Sequence, residues 1–175
     1  MIHPPKTRTD PPTHGDERTM LLAYLDFQRE TLRQKAGGLD AAQLATALPP
    51  STMTLGGMVK HLGLVENSWL RDRFKGDGLS EPWASTDWDA DYDWDWNSAE
   101  DDSPEQLWAL YEQMIADADA VIAGAALDDH AAKPSSRTGE PMSLRWIVLH
   151  LIEEYARHNG HADLIRESID GATGE

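Results

Sequence analysis

Residues 149–161, Leu149-His150-Leu151-Ile152-Glu153-Glu154-Tyr155-Ala156-Arg157-His158-Asn159-Gly160-His161, read as part of one amphipathic helix. At ~100° per residue the apolar side chains collect on one side. With His150 as the zero direction, Ile147, Leu151, Tyr155, Ala162, Ile165 and Ile169 fall at roughly 60–140°. His158 lands inside that stripe at about 80°, and Glu154 on its margin at about 40°. Glu153 and Arg157 point to solvent. A carboxylate and an imidazole one turn apart, both turned toward a core, cost free energy unless a partner compensates them. A divalent metal is the simplest partner. The spacing alone does not decide this, because Glu and His four residues apart also make ordinary surface contacts.

Working outward, Ser143 reads as the N-cap of this helix and Asp170-Gly171 as its end. Three other long amphipathic segments precede it. The first runs from about Glu17 to Ala36, with Met20, Leu21, Tyr24, Leu25, Gln28 and Leu32 inward and Gly37-Gly38 as the stop. Asp40-Ala-Ala-Gln43 is a capping box for one short helix, halted by Pro49-Pro50. Thr54 caps the second long helix, which runs to about Phe74 and closes at Gly76, with Leu55, Met58, Val59, Leu62, Val65, Trp69 and Leu70 inward. Gly56, Gly57 and Gly63 weaken that helix and fit a place where another backbone or a ligand comes close. Ser103-Pro104-Glu105-Gln106 opens the third, spanning about 104–125, with Leu107, Trp108, Tyr111, Met114, Ile115, Ala118 and Ile122 inward. With no convincing strand, the expectation is an all-α four-helix bundle. Residues 1–16, rich in proline, form a flexible arm; 17–171 form a single domain; 172–175 form a tail.

Composition limits the function. Net charge is −16, from 31 acidic against 15 basic residues. That field repels phosphate backbones, so nucleic acid is not the expected partner. No cysteine is present, which excludes disulfides, thiolate metal sites and a cysteine nucleophile. The polar, proline-rich start carries no secretory pattern and no apolar run spans a bilayer, so a cytoplasmic protein without membrane contact is expected. Between Glu81 and Glu105 lie ten carboxylates and no Lys or Arg. This long connection between the second and third long helices also holds Trp83, Trp88, Trp94 and Trp96. It reads as an acidic loop, and loops of this length inside a domain are often functional.

His61 stands beside the apolar stripe of the second long helix, flanked by Met58 and Val65. It reads either as a core-edge histidine or as the third member of a site with Glu154 and His158. Bundles build metal sites from inward side chains on facing helices. Two imidazoles and one carboxylate suit zinc, could also hold iron, nickel or manganese, and leave positions open for water or substrate.

The stretch Gly57-Met-Val-Lys-His61-Leu-Gly-Leu-Val-Glu66, with Trp69 following, resembles the second-helix motif of the DinB-like metalloprotein superfamily. Leu144-Arg-Trp-Ile-Val-Leu-His150-Leu-Ile-Glu-Glu154-Tyr-Ala-Arg-His158-Asn-Gly-His161-Ala-Asp163 resembles its last-helix motif. The similarity runs from about Glu17 to Gly171 and is nearest an actinobacterial branch of unknown function, related to mycothiol S-transferases and mycothiol-dependent maleylpyruvate isomerases. Many members pair His-x-x-x-His near the C-terminus. Glu154 replaces the first of that pair here, as in the maleylpyruvate isomerases. The resemblance implies His61, Glu154 and His158 as metal ligands and, through the metal, as catalytic residues. It implies His161 near the metal or substrate and His150 as an alternative ligand. Trp69, Arg73, Arg145 and the loop tryptophans become candidates for a substrate pocket. The implied activity joins a low-molecular-weight thiol, mycothiol first, to an electrophilic small molecule.

Two other functions share these residues. A hydrolase would use the same metal to activate water, with Glu66 or Asp163 as general base. A non-enzymatic metal or stress-response binder would keep the histidines without turnover. Bundles commonly pair through helix faces, which makes a homodimer an option.

Overall fold

The computed structural model describes residues 8–173; the first seven residues of the predicted arm and the last two of the tail lie outside the described residues. Among the described residues the secondary structure is helical, apart from two isolated bridges that pair Ala47 with Thr54 and His130 with Ser143. Helix α1 spans Glu17–Ala36 and starts where the Asp16 carboxylate accepts from the Thr19 amide. The short α2, Ala41–Leu44, carries the Asp40/Gln43 capping box. Helix α3, Leu55–Glu66, is capped by Thr54. A single turn, α4, covers Trp94–Asn97. Helix α5, Pro104–Ala123, has the Ser103/Gln106 capping box, two residues shorter than predicted. Helix α6, Leu144–Asp170, starts at Ser143 and ends at Gly171 with φ 73°. That left-handed conformation is one that glycine adopts without strain.

The four long helices share one core. Helix α1 packs along α6 and α3 along α5, while α3 also touches α6 and α1. Leu32, Leu62, Tyr111 and Leu151, one from each, are fully buried. Burying a leucine side chain contributes roughly 1.5–3 kcal/mol, so these stripes supply the main driving force. All seven inward positions read for α5 are buried. On α1 the expectation fails at one place, because Tyr24 is 47% exposed. There the buried side runs through Leu25, Arg29, Leu32 and Ala36, one step round the helix.

The second long helix is not uniform. From Asn67 to Lys75 it winds as a π-helix before Gly76 closes it. Wider winding advances each residue by less than the ~100° of an α-helix. Leu70 and Phe74 therefore stay on the buried side, while Trp69 turns to the margin and is only partly buried. Asn67 supports the change, since its amide bonds the Ser80 hydroxyl and accepts from the Ser80 amide, both at 2.9 Å.

The acidic connection also departs from expectation. It is folded against α3 as short helical turns, Trp83–Ser85, α4 and Ser98–Asp101. Trp83 is 1% exposed and belongs to the interior.

A charged network crosses the interior. Arg29, 1% exposed, donates from Nε and Nη2 to the two oxygens of Glu66 at 2.7 and 2.9 Å. The Tyr155 hydroxyl donates to Glu66 at 3.0 Å and shares a 3.0 Å hydrogen bond with the Tyr111 hydroxyl. Burial pushes both phenols up and keeps them neutral, while the Glu66 charge holds Arg29 protonated against its own burial. Glu66 is thereby committed to Arg29. Asp163 is likewise held by Lys35 at 2.5 Å. Of the two carboxylates considered as general base for water activation, Glu66 is fully buried in this network and Asp163 is 53% exposed beside Lys35.

Candidate metal centre

Helices α3 and α6 bring His61, Glu154 and His158 together. One ligand atom from each lies within 4.8 Å of the other two. The rings of His61 and His158 are 4.9 Å apart at 66°. Glu154 and His158 sit one turn apart on α6, as the phase of that helix requires, and the margin position leaves Glu154 partly buried. His158 is 8% exposed.

His158 lacks hydrogen bonds. Its Nδ1 is buried without a partner, and its Nε2 lies 3.7 Å from the nearer Glu154 oxygen, beyond hydrogen-bond range. Burial, with the electrostatic influence of His61, His161 and Arg157 adding to it, brings its pKa down to about 4. The imidazole is neutral at pH 7 and keeps a lone pair for a Lewis acid. Two imidazoles and a carboxylate, converging from two walls, match a divalent cation with open positions. The donor set fits.

His61 is gripped from outside the helices. Its Nδ1 bonds the Asp95 carboxylate at 2.7 Å, and Trp96 stacks on its face at 4.6 Å and 26°. Both come from α4. Sequence reasoning named Trp96 among the loop tryptophans offered for a substrate pocket and missed Asp95. The signal was Gly57: a Cβ there would stand 2.8 Å from the Trp96 ring, so a glycine one turn before His61 makes room for that ring. Trp96 also walls a cleft of about 570 Å³ with Met53, Thr54, Asp93, Asn97 and Leu107, which none of His61, Glu154 and His158 lines.

The other candidates divide. The His161 ring is 5.8 Å from His158 and its buried Nδ1 is unpartnered. His150 packs between Trp146, stacked at 5.1 Å, and the edge of Trp69 at 4.6 Å. Its Nε2 is 3.5 Å from the second oxygen of Glu154. Trp69 therefore borders the cluster through His150, and Arg73 lies over its ring at 5.1 Å. His150, Glu153 and Glu154 form a second grouping, but on one helix and with Glu153 48% exposed. Arg145 is not brought to the cluster. Its guanidinium bonds Glu17 and Asp128, on the side of α6 that phase assigns away from His158.

Comparison with known proteins adds one match. A family model described as mycothiol-S-transferase covers residues 20–171. No curated protein matches the chain. No helix among the described residues is long and apolar enough to cross a membrane.

Proposed function

The chain belongs to the mycothiol S-transferase family, within the DinB-like superfamily, and on that premise we propose a divalent-metal-dependent thiol transferase. It activates a low-molecular-weight thiol, mycothiol, for attack on an electrophilic small molecule. One observation carries the reading: His61 and the Glu154/His158 pair, far apart in sequence, offer converging ligand atoms within 4.8 Å. We assign these three as the metal ligands, with zinc as the metal that two imidazoles and a carboxylate suit first.

A bound divalent cation supplies a Lewis acid that lowers the pKa of a coordinated thiol, as it does for water. The residues do the rest by holding and excluding. Buried, neutral His158 and Asp95-bonded His61 offer lone pairs without reorganising, and Glu154 contributes the negative charge that a cation offsets. Trp96 keeps water from one face of His61. In the reaction the S–H bond is lost, its proton passes to solvent, and sulfur forms the new bond to carbon as the leaving group departs with its electron pair. No cysteine is needed, because the cosubstrate brings the sulfur. His161 is read as a contact for the incoming thiol, which its unpartnered Nδ1 supports. The cleft that shares the Trp96 wall, with Thr54, Asp93 and Asn97 also lining it, suits the hydroxyl-rich part of a sugar-containing thiol.

The test uses zinc-loaded protein, a panel of cellular thiols and a bromobimane dye as electrophile. We expect dye consumption that depends on both metal and mycothiol. His158→Gln should lower zinc affinity by more than the ~100-fold typical of partners that only orient a ligand, and abolish turnover with it. Ester or amide cleavage without added thiol would replace this reading with hydrolysis. Full activity in His158→Gln would remove the proposed site.

A further inference from the structure

One carboxylate of the acidic, tryptophan-rich segment is unlike its neighbours. Asp87, Asp89, Asp93 and Glu100 are exposed, whereas Asp95 is 4% exposed. A carboxylate taken from water needs compensation. Its single hydrogen-bond partner among the described residues is Nδ1 of His61, at 2.7 Å. An ionised Asp95 accepts from Nδ1–H, and in a neutral His61 ring that arrangement leaves the Nε2 lone pair free. The next residue, Trp96, covers the face of the same ring. A single turn of helix thus presents consecutive side chains to the edge and the face of one imidazole. The segment has its own anchor elsewhere: Asp102 is held by Lys60 at 2.5 Å, and Lys60 lies over Trp94 at 4.4 Å.

The geometry points to Asp95 as a positioning residue that fixes the tautomer and orientation of His61, making the acidic segment a determinant of how tightly the metal centre binds. The inference rests on the metal reading above and goes beyond it, since the ligands themselves come from α3 and α6. Histidine ligands depend on such partners because a free imidazole divides its proton between two nitrogens and turns about its side-chain bonds. Asp95 removes the first freedom and, with Trp96, the second.

The experiment compares full-length wild type with Asp95→Ala, Asp95→Asn and Asp102→Asn, reading zinc affinity by competition with a chromophoric chelator. Nitrogen-15 NMR reads the His61 tautomer in the metal-free protein. Asp95→Ala should bind zinc about 10–100-fold more weakly, whereas Asp102→Asn, which loosens the segment without touching His61, should change affinity by less than about threefold. Asp95→Asn keeps an oxygen that accepts from Nδ1–H and should recover most of the affinity. In the wild type His61 should carry its proton on Nδ1; in Asp95→Ala the two tautomers should mix. Equal losses in Asp95→Ala and Asp102→Asn would reduce Asp95 to a tether and overturn the inference. Unchanged zinc affinity in Asp95→Ala would overturn it too, as would a wild-type proton on Nε2. Wild type that binds no zinc would instead defeat the metal reading, while the tautomer measurement would still decide the role of Asp95.

Discussion

Helices α3 and α6 meet twice through polar side chains, and the two meetings differ. In one, Glu66 of α3 and Tyr155 of α6 close a network with Arg29 and Tyr111 in which each named group has a hydrogen-bond partner. In the other, His61 of α3 faces Glu154 and His158 of α6, and His158 has no hydrogen bond on either nitrogen. The same two helices, only a turn or so apart, thus carry one polar set that is fully paired and one in which His158 is left unpaired. Buried polar groups in a scaffold are paired, because an orphan costs about 1–3 kcal/mol. A helix pair that satisfies one set and leaves the other open is holding the second for something else. The closed network is framework, and the open cluster is the proposed site.

That contrast breaks most visibly at Glu66. Glu66→Gln takes from Arg29 its one buried carboxylate and leaves it only the more exposed Asp119 and Asp26; removing one member of a buried pair costs at most roughly 3–5 kcal/mol. Denaturant unfolding of the metal-free protein should show a loss within that limit, with zinc affinity preserved under conditions where the variant is folded. The reverse pattern, intact stability with lost turnover, would make Glu66 part of the chemistry and erase the distinction. Gly57→Ala sharpens the other side with a smaller effect. The added methyl meets the Trp96 ring, and overpacking of this kind costs about 1–3 kcal/mol. If Trp96 yields by leaving His61, zinc binding should weaken while the Arg29–Glu66 network stays intact. Unchanged zinc affinity would show that the stacked ring contributes nothing to the centre.

Much of this was readable in the sequence, for local reasons. Ser103 with Gln106, Ser143, Thr54 and Asp40 with Gln43 all cap as read, because capping depends on residues three apart. The 3.6-residue period put Ile147, Leu151, Tyr155, Ala162 and Ile165 of α6 in the core together with His158, while Ile169 is only partly buried. Helix phase aimed Glu154 and His158, the place of His61 beside its own apolar stripe made it a candidate partner, and the motif resemblance favoured it as a ligand. Long-range pairing was not readable. Arg29 looks like a surface arginine until Glu66, 37 residues away, is known to face it. Asn67, where the π winding begins, meets Ser80 and Met114, contacts that no local pattern encodes. Asp95 was hidden for a different reason: among ten carboxylates without helical periodicity, nothing local marks the one that is buried.

The most direct trial of the central claim is a crystal structure of the zinc-loaded protein, with anomalous scattering collected at the zinc edge. The account predicts one strong peak about 2.0–2.2 Å from His61 Nε2, a Glu154 oxygen and a His158 nitrogen. A peak held by His150 and Glu153 instead, or His61, Glu154 and His158 left without metal at saturating zinc, would contradict it.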